Sequence, residues 1–498
     1  MTRDLIAGLD VGTSSVRSVV FDKQGRSVAV SSRTQRTRTP RPGWVEQDPE
    51  ELFRLSVQTL RDTLRRRPGV RALGVTNQRE SLVAVDARTG RALSPVVVWQ
   101  DTRTEELARA LGEGGWAERV WDQGGLPLTT YPSAPKMLWL LRHLPAVRRA
   151  ASRERLLLGT VDTWILYRLM GGPRRSAPWV TDATNASRTL LYDLDLRAWS
   201  PSLLDHFQVD ASALPQVRPS FGTVYGAVAP GLGLAEDLPL AADLGDQQAS
   251  LLGISGAAPR SAKLTFGTGA FFLAEGAPPG TGRAQGLIRT VLYEDGRGDR
   301  KLGLEGGVGA AGSFLDWLGT PGLGLFPSVK ALEMSARTAR PEHGLTFLPA
   351  LAGLFAPHWR PSARGALTGL TRATTRADLA RAALEGVAHR VADILEAYRG
   401  ARGGAPRVLW VDGGLGRSDL LLQLVADLSS VPLARSPVLE ATSRGAALAA
   451  GLSVGLFGSL AELPKADARR ARLFRPRMDA RERARSREVW TRQLERSV

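Results

Sequence analysis

Apolar and polar residues recur along the chain with two periods, and each change of period marks an element. Leu5-Ile6-Ala7-Gly8-Leu9 is an unbroken apolar run, as in a strand covered on both faces, and Val16 to Phe21 alternates like a half-buried strand. Between them stands Asp10-Val11-Gly12-Thr13-Ser14-Ser15, a turn of glycine and hydroxyl residues. A third strand, Val28 to Ser31, follows Asp22-Lys23-Gln24-Gly25, so the chain is expected to open as a β-meander. The period then becomes helical. Asp48 suits an N-cap and Pro49 a first helical position, and Phe53, Val57, Leu60 and Leu64 share one face. The strand Ala72 to Thr76 leads into Asn77-Gln78-Arg79-Glu80, and Val96 to Val98 into Trp99-Gln100-Asp101. Leu156 to Leu169 reads as a helix with a buried side, and Thr181 to Arg188 as a polar loop.

Near the midpoint, the strand Leu238 to Ala242 feeds Leu244-Gly245-Asp246-Gln247-Gln248-Ala249-Ser250, with a helix of small residues after it. A strand that ends in Gly-Asp and turns into a helix presents the carboxylate at an open edge, where α/β proteins hold ligands. An Asp at that place is also an ordinary helix cap. The opening theme then returns: Ala262 to Phe266 is strand-like, Gly267-Thr268-Gly269 a tight turn, and Ala270 to Ala274 a returning strand. Leu384, Val387, Val391, Ile394 and Tyr398 mark a long helix. The strand Val408 to Val411 runs into Asp412-Gly413-Gly414-Leu415-Gly416, with a helix starting near Ser418. Polar clusters just past the ends of apolar strands therefore occur in both halves.

Composition narrows what such clusters can do. A chain of 498 residues exceeds one ordinary core, so two domains are expected. Without cysteine there is no disulfide, thiolate metal site or cysteine nucleophile, and the five scattered histidines form no HExxH pair, which disfavours a zinc enzyme. The net charge of +17 invites a nucleic-acid reading, but the arginines are spread along the whole chain without a binding stripe. Nucleic acid is not an expected partner, whereas a positive field would attract a polyanion such as ATP. The longest uncharged run, Gly445 to Ala461, is shorter than the roughly 20 apolar residues of a membrane span and reads as a buried helix. With no signal peptide visible, a cytoplasmic protein without membrane insertion is expected.

No GxxxxGK[ST] phosphate loop is present. Gly307 to Gly312 matches GxGxxG literally, but it comes late and lacks an acidic partner at the right distance, so a dinucleotide fold is rejected. Thr13, Ser14, Ser15 and the Gly267-Thr268 turn can cradle phosphates with hydroxyls and backbone N–H groups, and Gly414 before a helix suits close approach by a nucleotide. Three such turns at strand ends in both halves argue for an ATP site in a cleft between domains.

From about residue 5 to about residue 475 the chain resembles the FGGY carbohydrate kinase family. The resemblance is carried by Leu9-Asp-Val-Gly-Thr-Ser-Ser15, Gly43-Trp-Val-Glu-Gln-Asp-Pro49, Thr76-Asn-Gln-Arg-Glu80, Gly159-Thr-Val-Asp-Thr-Trp164, Thr184-Asn-Ala-Ser-Arg188, Gly245-Asp-Gln-Gln248, Phe266-Gly-Thr-Gly269 and Val411-Asp-Gly-Gly414. The Asn77 to Glu80 run and the double Gln after Asp246 point to members acting on glycerol rather than on pentuloses. The resemblance implies an α/β fold of two actin-like (ribonuclease H-like) ATPase domains with an interdomain catalytic cleft. Residues 1–248 would carry the polyol site and the first phosphate loop, and residues 249–498 most of the nucleotide site.

The activity implied is ATP-dependent phosphorylation of glycerol to sn-glycerol 3-phosphate with release of ADP. By the same implication Arg79, Glu80, Tyr131, Asp246 and Gln247 hold the glycerol hydroxyls, and Trp99 and Phe271 flank its carbon chain. Asp246 is the catalytic base, and Asp10 with Asp246 stands near Mg²⁺. Thr13, Ser14, Ser15 and Arg17 match the first phosphate loop, and Thr268, Gly312 and Gly414 the other nucleotide contacts. Asp316 stands where family members carry Gln, and Ser418 where they carry Asn, both near the nucleotide. Pro357-His-Trp-Arg360 replaces a usual Pro-Tyr-Trp-Asp. A homo-oligomer, dimer or tetramer, is the expected assembly. The loop Gly231 to Pro239 lacks the Gly-Arg features linked to fructose 1,6-bisphosphate inhibition in some relatives, so millimolar amounts of that compound are expected to leave the rate unchanged in an ADP-release assay.

Overall fold

The apolar run at Leu5 is covered on both faces because it lies inside a six-stranded sheet. The computed structural model describes residues 4–496 except 257, 259, 278–283, 320, 321, 341 and 352. Across the sheet the order is Gly226–Ala227, Pro239–Gly245, Val70–Asn77, Leu5–Val11, Ser15–Phe21 and Ser27–Thr34. The first three strands in the chain form the expected antiparallel meander. Val70–Asn77 and Pro239–Gly245 join it in parallel. Parallel strands bring their C-terminal ends to one edge, and here Val11 and Gly245 both pair with Asn77. Asp10, Arg79, Glu80 and Asp246 are thereby delivered to the same place.

The second sheet repeats this plan. Ala262–Phe266 forms a hairpin with Ala270–Glu275 and runs parallel to Leu409–Asp412. Ile288–Glu294 and Arg300–Val308 extend it on one side, and Leu433–Arg435 and Arg472–Phe474 on the other. The helix Arg376–Arg402 carries the apolar stripe seen in the sequence, starts at a reciprocal cap between Thr375 and Asp378, and buries Leu384, Val387, Val391 and Ile394 against Phe266 and Phe272. In the first lobe Pro49–Arg66 is capped by Asp48, whose carboxylate accepts from the Glu50 and Glu51 amides at 2.9 and 3.4 Å. A smaller sheet built on Leu82–Asp86 ends beside Trp99.

Two helices join the lobes, Asp246–Ser255 and Ala441–Ser453. They pack backbone to backbone: a Cβ on Gly253 would strike the Ala441 carbonyl, and one on Gly445 the Ala249 carbonyl. Gly8 and Gly74 of the first sheet lie equally close under the Ser443 and Ala446 carbonyls. The helix Ala441–Ser453 therefore covers the first sheet although it comes late in the chain. The expected boundary after residue 248 lies within the helix Asp246–Ser255, which carries the chain from one sheet to the other.

Three local readings are corrected. Leu156 to Leu169 is a strand, Leu156–Thr160, followed by a helix, Val161–Leu169, because the apolar run pairs with Leu82–Asp86. The expected polar loop begins as a strand, Val180–Asp182, and continues as a short helix, Ala183–Ala186, capped by Asp182. The helix expected over Gly445 to Ala461 is Ala441–Ser453, with Gly455 in the left-handed region just beyond it. No helix among the described residues is long and apolar enough to cross a membrane.

The glycine contacts give a direct test of the joint. Gly445→Ala is expected to lower the unfolding midpoint in urea, the backbone clash of about 1–3 kcal/mol outweighing the roughly 1 kcal/mol gain in helix propensity. Gly404→Ala, at a glycine with nothing within 4 Å of a Cβ, is expected to leave the midpoint unchanged.

Candidate active site

Asp246 opens its helix at the edge where the parallel strands end. The Gly245 amide donates to Thr184 Oγ1 at 2.8 Å, and a Cβ on Gly245 would collide with the Arg79 side chain, so glycine there lets Arg79 reach the carboxylate. Asp246 Oδ1 accepts from the Gln247 amide at 2.7 Å and lies 3.2 Å from Arg79 Nε. Its side chain is 31% exposed, open enough for a substrate to reach. Asp10, two strands over in the sheet, is pushed up to about 7 by burial and by the nearby charges of Asp246 and Glu440, against the pull of Arg17.

Beside Asp246 lie four buried charges. Arg79 donates to Glu305 through both terminal nitrogens, at 2.6 and 2.9 Å, and through Nη1 to Gln248 Oε1 at 3.2 Å. Arg188 donates from Nε to Glu80 at 2.6 Å and from Nη2 to Glu305 at 3.3 Å. None of the four side chains is more than 3% exposed, so the group is stable only because its charges cancel. Burial raises the Glu80 carboxyl despite Arg188 and Arg79. At Glu305 burial acts the same way, but the two guanidinium groups outweigh it and hold the carboxyl below its ordinary value. Glu80 sits at φ +62, a left-handed turn that swings its side chain back from the strand end. Arg79 Nε and Arg188 Nη1 are buried without a hydrogen-bond partner in the protein. A buried donor left unmade is costly, and both would be satisfied by an acceptor from outside the chain.

Aromatic rings wall this polar set. Trp99 meets Tyr131 at 5.8 Å and Phe271 at 6.0 Å between ring centres, both edge to face. The Arg188 guanidinium lies 5.6 Å over the Tyr131 ring, and burial drives the phenol well above its ordinary value. Trp99 Nε1 donates to Thr13 Oγ1 at 2.9 Å, which ties this wall to the first hairpin turn. Lys136 Nζ, itself buried, donates to the carbonyls of Tyr131 and Pro132 at 2.5 and 3.0 Å. A small molecule with several hydroxyls and no charge suits such a pocket, since donors, acceptors and apolar walls are all present.

The second lobe meets Asp246 through the same helix. Lys263 Nζ donates to Gln247 Oε1 at 2.8 Å and to Thr265 Oγ1 at 2.6 Å, and Ser250 Oγ to Asp412 Oδ2 at 2.8 Å. Burial lowers the Lys263 amine, with Asp412 and Asp246 opposing. Thr13, Ser14 and Ser15 lie at the first hairpin, where the Gly12 amide donates to the Ser15 carbonyl at 3.0 Å. Arg17 pairs across the hairpin with Asp10 in register, and its guanidinium holds Glu440 at 2.7 Å. In the second hairpin the Thr268 carbonyl accepts from the Ala311 and Ser313 amides, both at 3.0 Å. A Cβ on Gly312 would strike the Gly267 carbonyl, so the helix Gly312–Trp317 starts hard against the turn. Asp316 is on the exposed side of that helix. Gly413, at φ +87, lies against the Phe266 carbonyl, while Gly414 has nothing within 4 Å of where a Cβ would be. Ser418 Oγ accepts from the Leu421 amide at 3.2 Å, which makes it the cap of the helix Asp419–Ser429.

Arg79, Glu80, Trp99, Tyr131, Asp246, Gln247 and Phe271 are thus linked in one network of contacts through Glu305 and Arg188, with Asp10 near Asp246. The sequence reading did not single out Glu305, Lys263 or the role of Arg188. Glu305 stands alone in Leu302-Gly-Leu-Glu-Gly-Gly-Val308, and Lys263 alone in an apolar strand. A charge inside a strand covered on both faces needs a partner, and that was the available signal.

Two repeated sheets, joined by helices and facing each other across a pocket for hydroxyls and a set of glycine-hydroxyl loops, define a two-domain phosphotransferase. The FGGY family of carbohydrate kinases matches over nearly all of the chain, its N-terminal domain at residues 5–253 and its C-terminal domain at residues 262–454. The chain belongs to the FGGY family of carbohydrate kinases. It is 42% identical over 458 residues to a glycerol kinase of Saccharopolyspora erythraea, covering 91% of each chain. To a glycerol kinase of Thermus brockianus it is 42% identical over 496 residues, or 99% of this chain and 98% of that one. The crystal structure of Plasmodium falciparum glycerol kinase with ADP superposes with a TM-score of 0.89 at 29% identity, covering 100% of this chain and 98% of that one.

Lys136 supplies a test by pH. Burial lowers its amine from 10.5 to about 7, against the pull of Glu80 and Asp101. Between those values the unfolded chain binds more protons than the folded one, so stability rises as pH increases through the window. Lys136→Met lacks that rise. Urea unfolding is expected to show wild type gaining on the variant from about pH 7 to about pH 10.

Proposed function

We propose that this chain phosphorylates glycerol at a terminal hydroxyl, using ATP and releasing sn-glycerol 3-phosphate and ADP. The observation that carries the reading is the cluster of Arg79, Glu80 and Asp246, with two buried donors that make no aligned hydrogen bond, beside the rings of Trp99, Tyr131 and Phe271. Glycerol is small and uncharged, so only hydrogen bonds to its hydroxyls and apolar contact with its carbons can fix it. A pocket that pairs each hydroxyl rejects analogues lacking one far better than an apolar slot does. Kinship with glycerol kinases along nearly the whole chain supports the same substrate.

In this reading Asp246 takes the proton of the attacking hydroxyl as its oxygen bonds to the γ-phosphorus, and the bond to the bridging oxygen breaks to free ADP. Arg79, Glu80, Tyr131 and Gln247 hold the remaining hydroxyls in line. Thr13, Ser14, Ser15 and Arg17 meet the phosphates from the first lobe. Thr268, Gly312 and Gly414 meet the nucleotide from the second, with Asp316 and Ser418 nearby. Closure of the lobes keeps water from competing for the phosphoryl group.

The neighbouring carboxylates of Asp10 and Asp246 fit Mg²⁺, since Asp246 raises the proton affinity of Asp10 and a hard dication would relieve that repulsion. No group of three or more His, Cys, Asp or Glu among the described residues is placed to hold a metal. Bound there, Mg²⁺ would neutralise charge on the phosphates. A cytoplasmic homo-oligomer completes the reading.

The test is ADP release from ATP and Mg²⁺, with and without glycerol. Wild type is expected to turn over only with glycerol, and Asp246→Asn to lose about 10²–10⁴-fold in rate. Turnover with another polyol and none with glycerol would remove the substrate assigned here while leaving the family.

A further inference from the structure

Arg79 stands between two carboxylates. Asp246 lies 3.2 Å from its Nε, yet that nitrogen makes no aligned hydrogen bond, whereas Glu305 takes both terminal nitrogens at 2.6 and 2.9 Å. The two partners come from different lobes. Asp246 and Arg79 leave the first sheet, and Glu305 lies in the strand Arg300–Val308 of the second. Across that second sheet Lys263, Leu273 and Glu305 are cross-strand partners, so they share one face, and that face meets the first lobe. Contacts from Gln248 to Thr290 and Val291, and between Ser187 and Thr290, hold the neighbouring strand against the same surface.

We propose that Glu305 is a positioning residue that holds the terminal nitrogens of Arg79, so that only Nε stands beside Asp246, and turns the remaining donors toward the acceptor. The inference rests on the reading of this pocket as the acceptor site. A guanidinium has five N–H groups in a rigid fork. Glu305 takes one from each terminal nitrogen and Gln248 a second from Nη1, which leaves Nε–H and one Nη2 hydrogen. Without Glu305 the nearest carboxylate for the fork is Asp246, and a paired, two-point grip there would occupy the oxygens that must receive the acceptor proton. Because Glu305 belongs to the other lobe, Arg79 is aimed only when the lobes are together. Arg188 completes the hold, since it bridges Glu305 and Glu80.

Glu305→Gln keeps the shape but offers one acceptor instead of a charged pair. Its acceptor KM is expected to rise about 10-fold or more, with kcat reduced and the KM for ATP within about 3-fold of wild type. Glu305→Asp, which keeps the charge on a shorter arm, is expected to lie between the two. In an Arg79→Lys background the Glu305→Gln change is expected to add less than about 3-fold, because the residue it acts through is already altered. An acceptor KM within about 2-fold of wild type in the folded variant would overturn the proposal, as would an equal rise in both KM values or full additivity with Arg79→Lys. Should Glu305→Gln fail to fold, Glu305→Asp is read by the same criteria. The acceptor is whichever polyol wild type turns over, so inactivity on glycerol would sink the substrate assignment without deciding the role of Glu305.

Discussion

Close backbone packing between the helices Asp246–Ser255 and Ala441–Ser453 is the constraint on which the rest of the molecule hangs. Side chains cannot lie between the two backbones, so glycine is required at Gly253 and Gly445 on the helices and at Gly8 and Gly74 on the sheet beneath. The resulting layer fixes the first turn of the Asp246 helix against the first sheet. It also fixes the far side of that helix against the second, through Ser250 and Asp412. The edge at Asp246 is a seam between rigid elements, and such elements hold a geometry more tightly than free loops do.

The polar interior follows from that seam. Where two lobes meet over a buried pocket, water cannot solvate the groups that must bind a hydroxyl. Arg79, Arg188, Glu80 and Glu305 answer this by cancelling one another's charge. What they leave without a hydrogen bond is small and specific: one donor on each arginine.

Much of this was legible in the sequence because it lies at strand ends. The runs after Ala72 to Thr76 and Leu238 to Ala242, and the paired Gly-Thr hairpins, were placed correctly, since period and turn chemistry are local properties. Long-range partners were not legible. Nothing local tells Glu305 that it will meet Arg79, or Arg17 that it will hold Glu440. Short apolar runs were the weakest reading of structure: Leu156 to Thr160 became a strand only because Leu82–Asp86 is there to pair with it. That a late helix, Ala441–Ser453, returns to the first sheet is likewise a long-range property.

That return has a consequence for how the molecule is made. A chain emerging from the ribosome folds its domains from the N-terminus as each is completed. Here the first sheet has most of its strands early, but the surface at Gly8 and Gly74 waits for Ala441–Ser453, which appears only after nearly all of the second lobe. Ile6, Val19 and Leu244, which pack beneath Ala447 and Leu448 in the finished protein, stay uncovered until then. The early lobe therefore keeps part of its apolar face open until Ala441–Ser453 has been made.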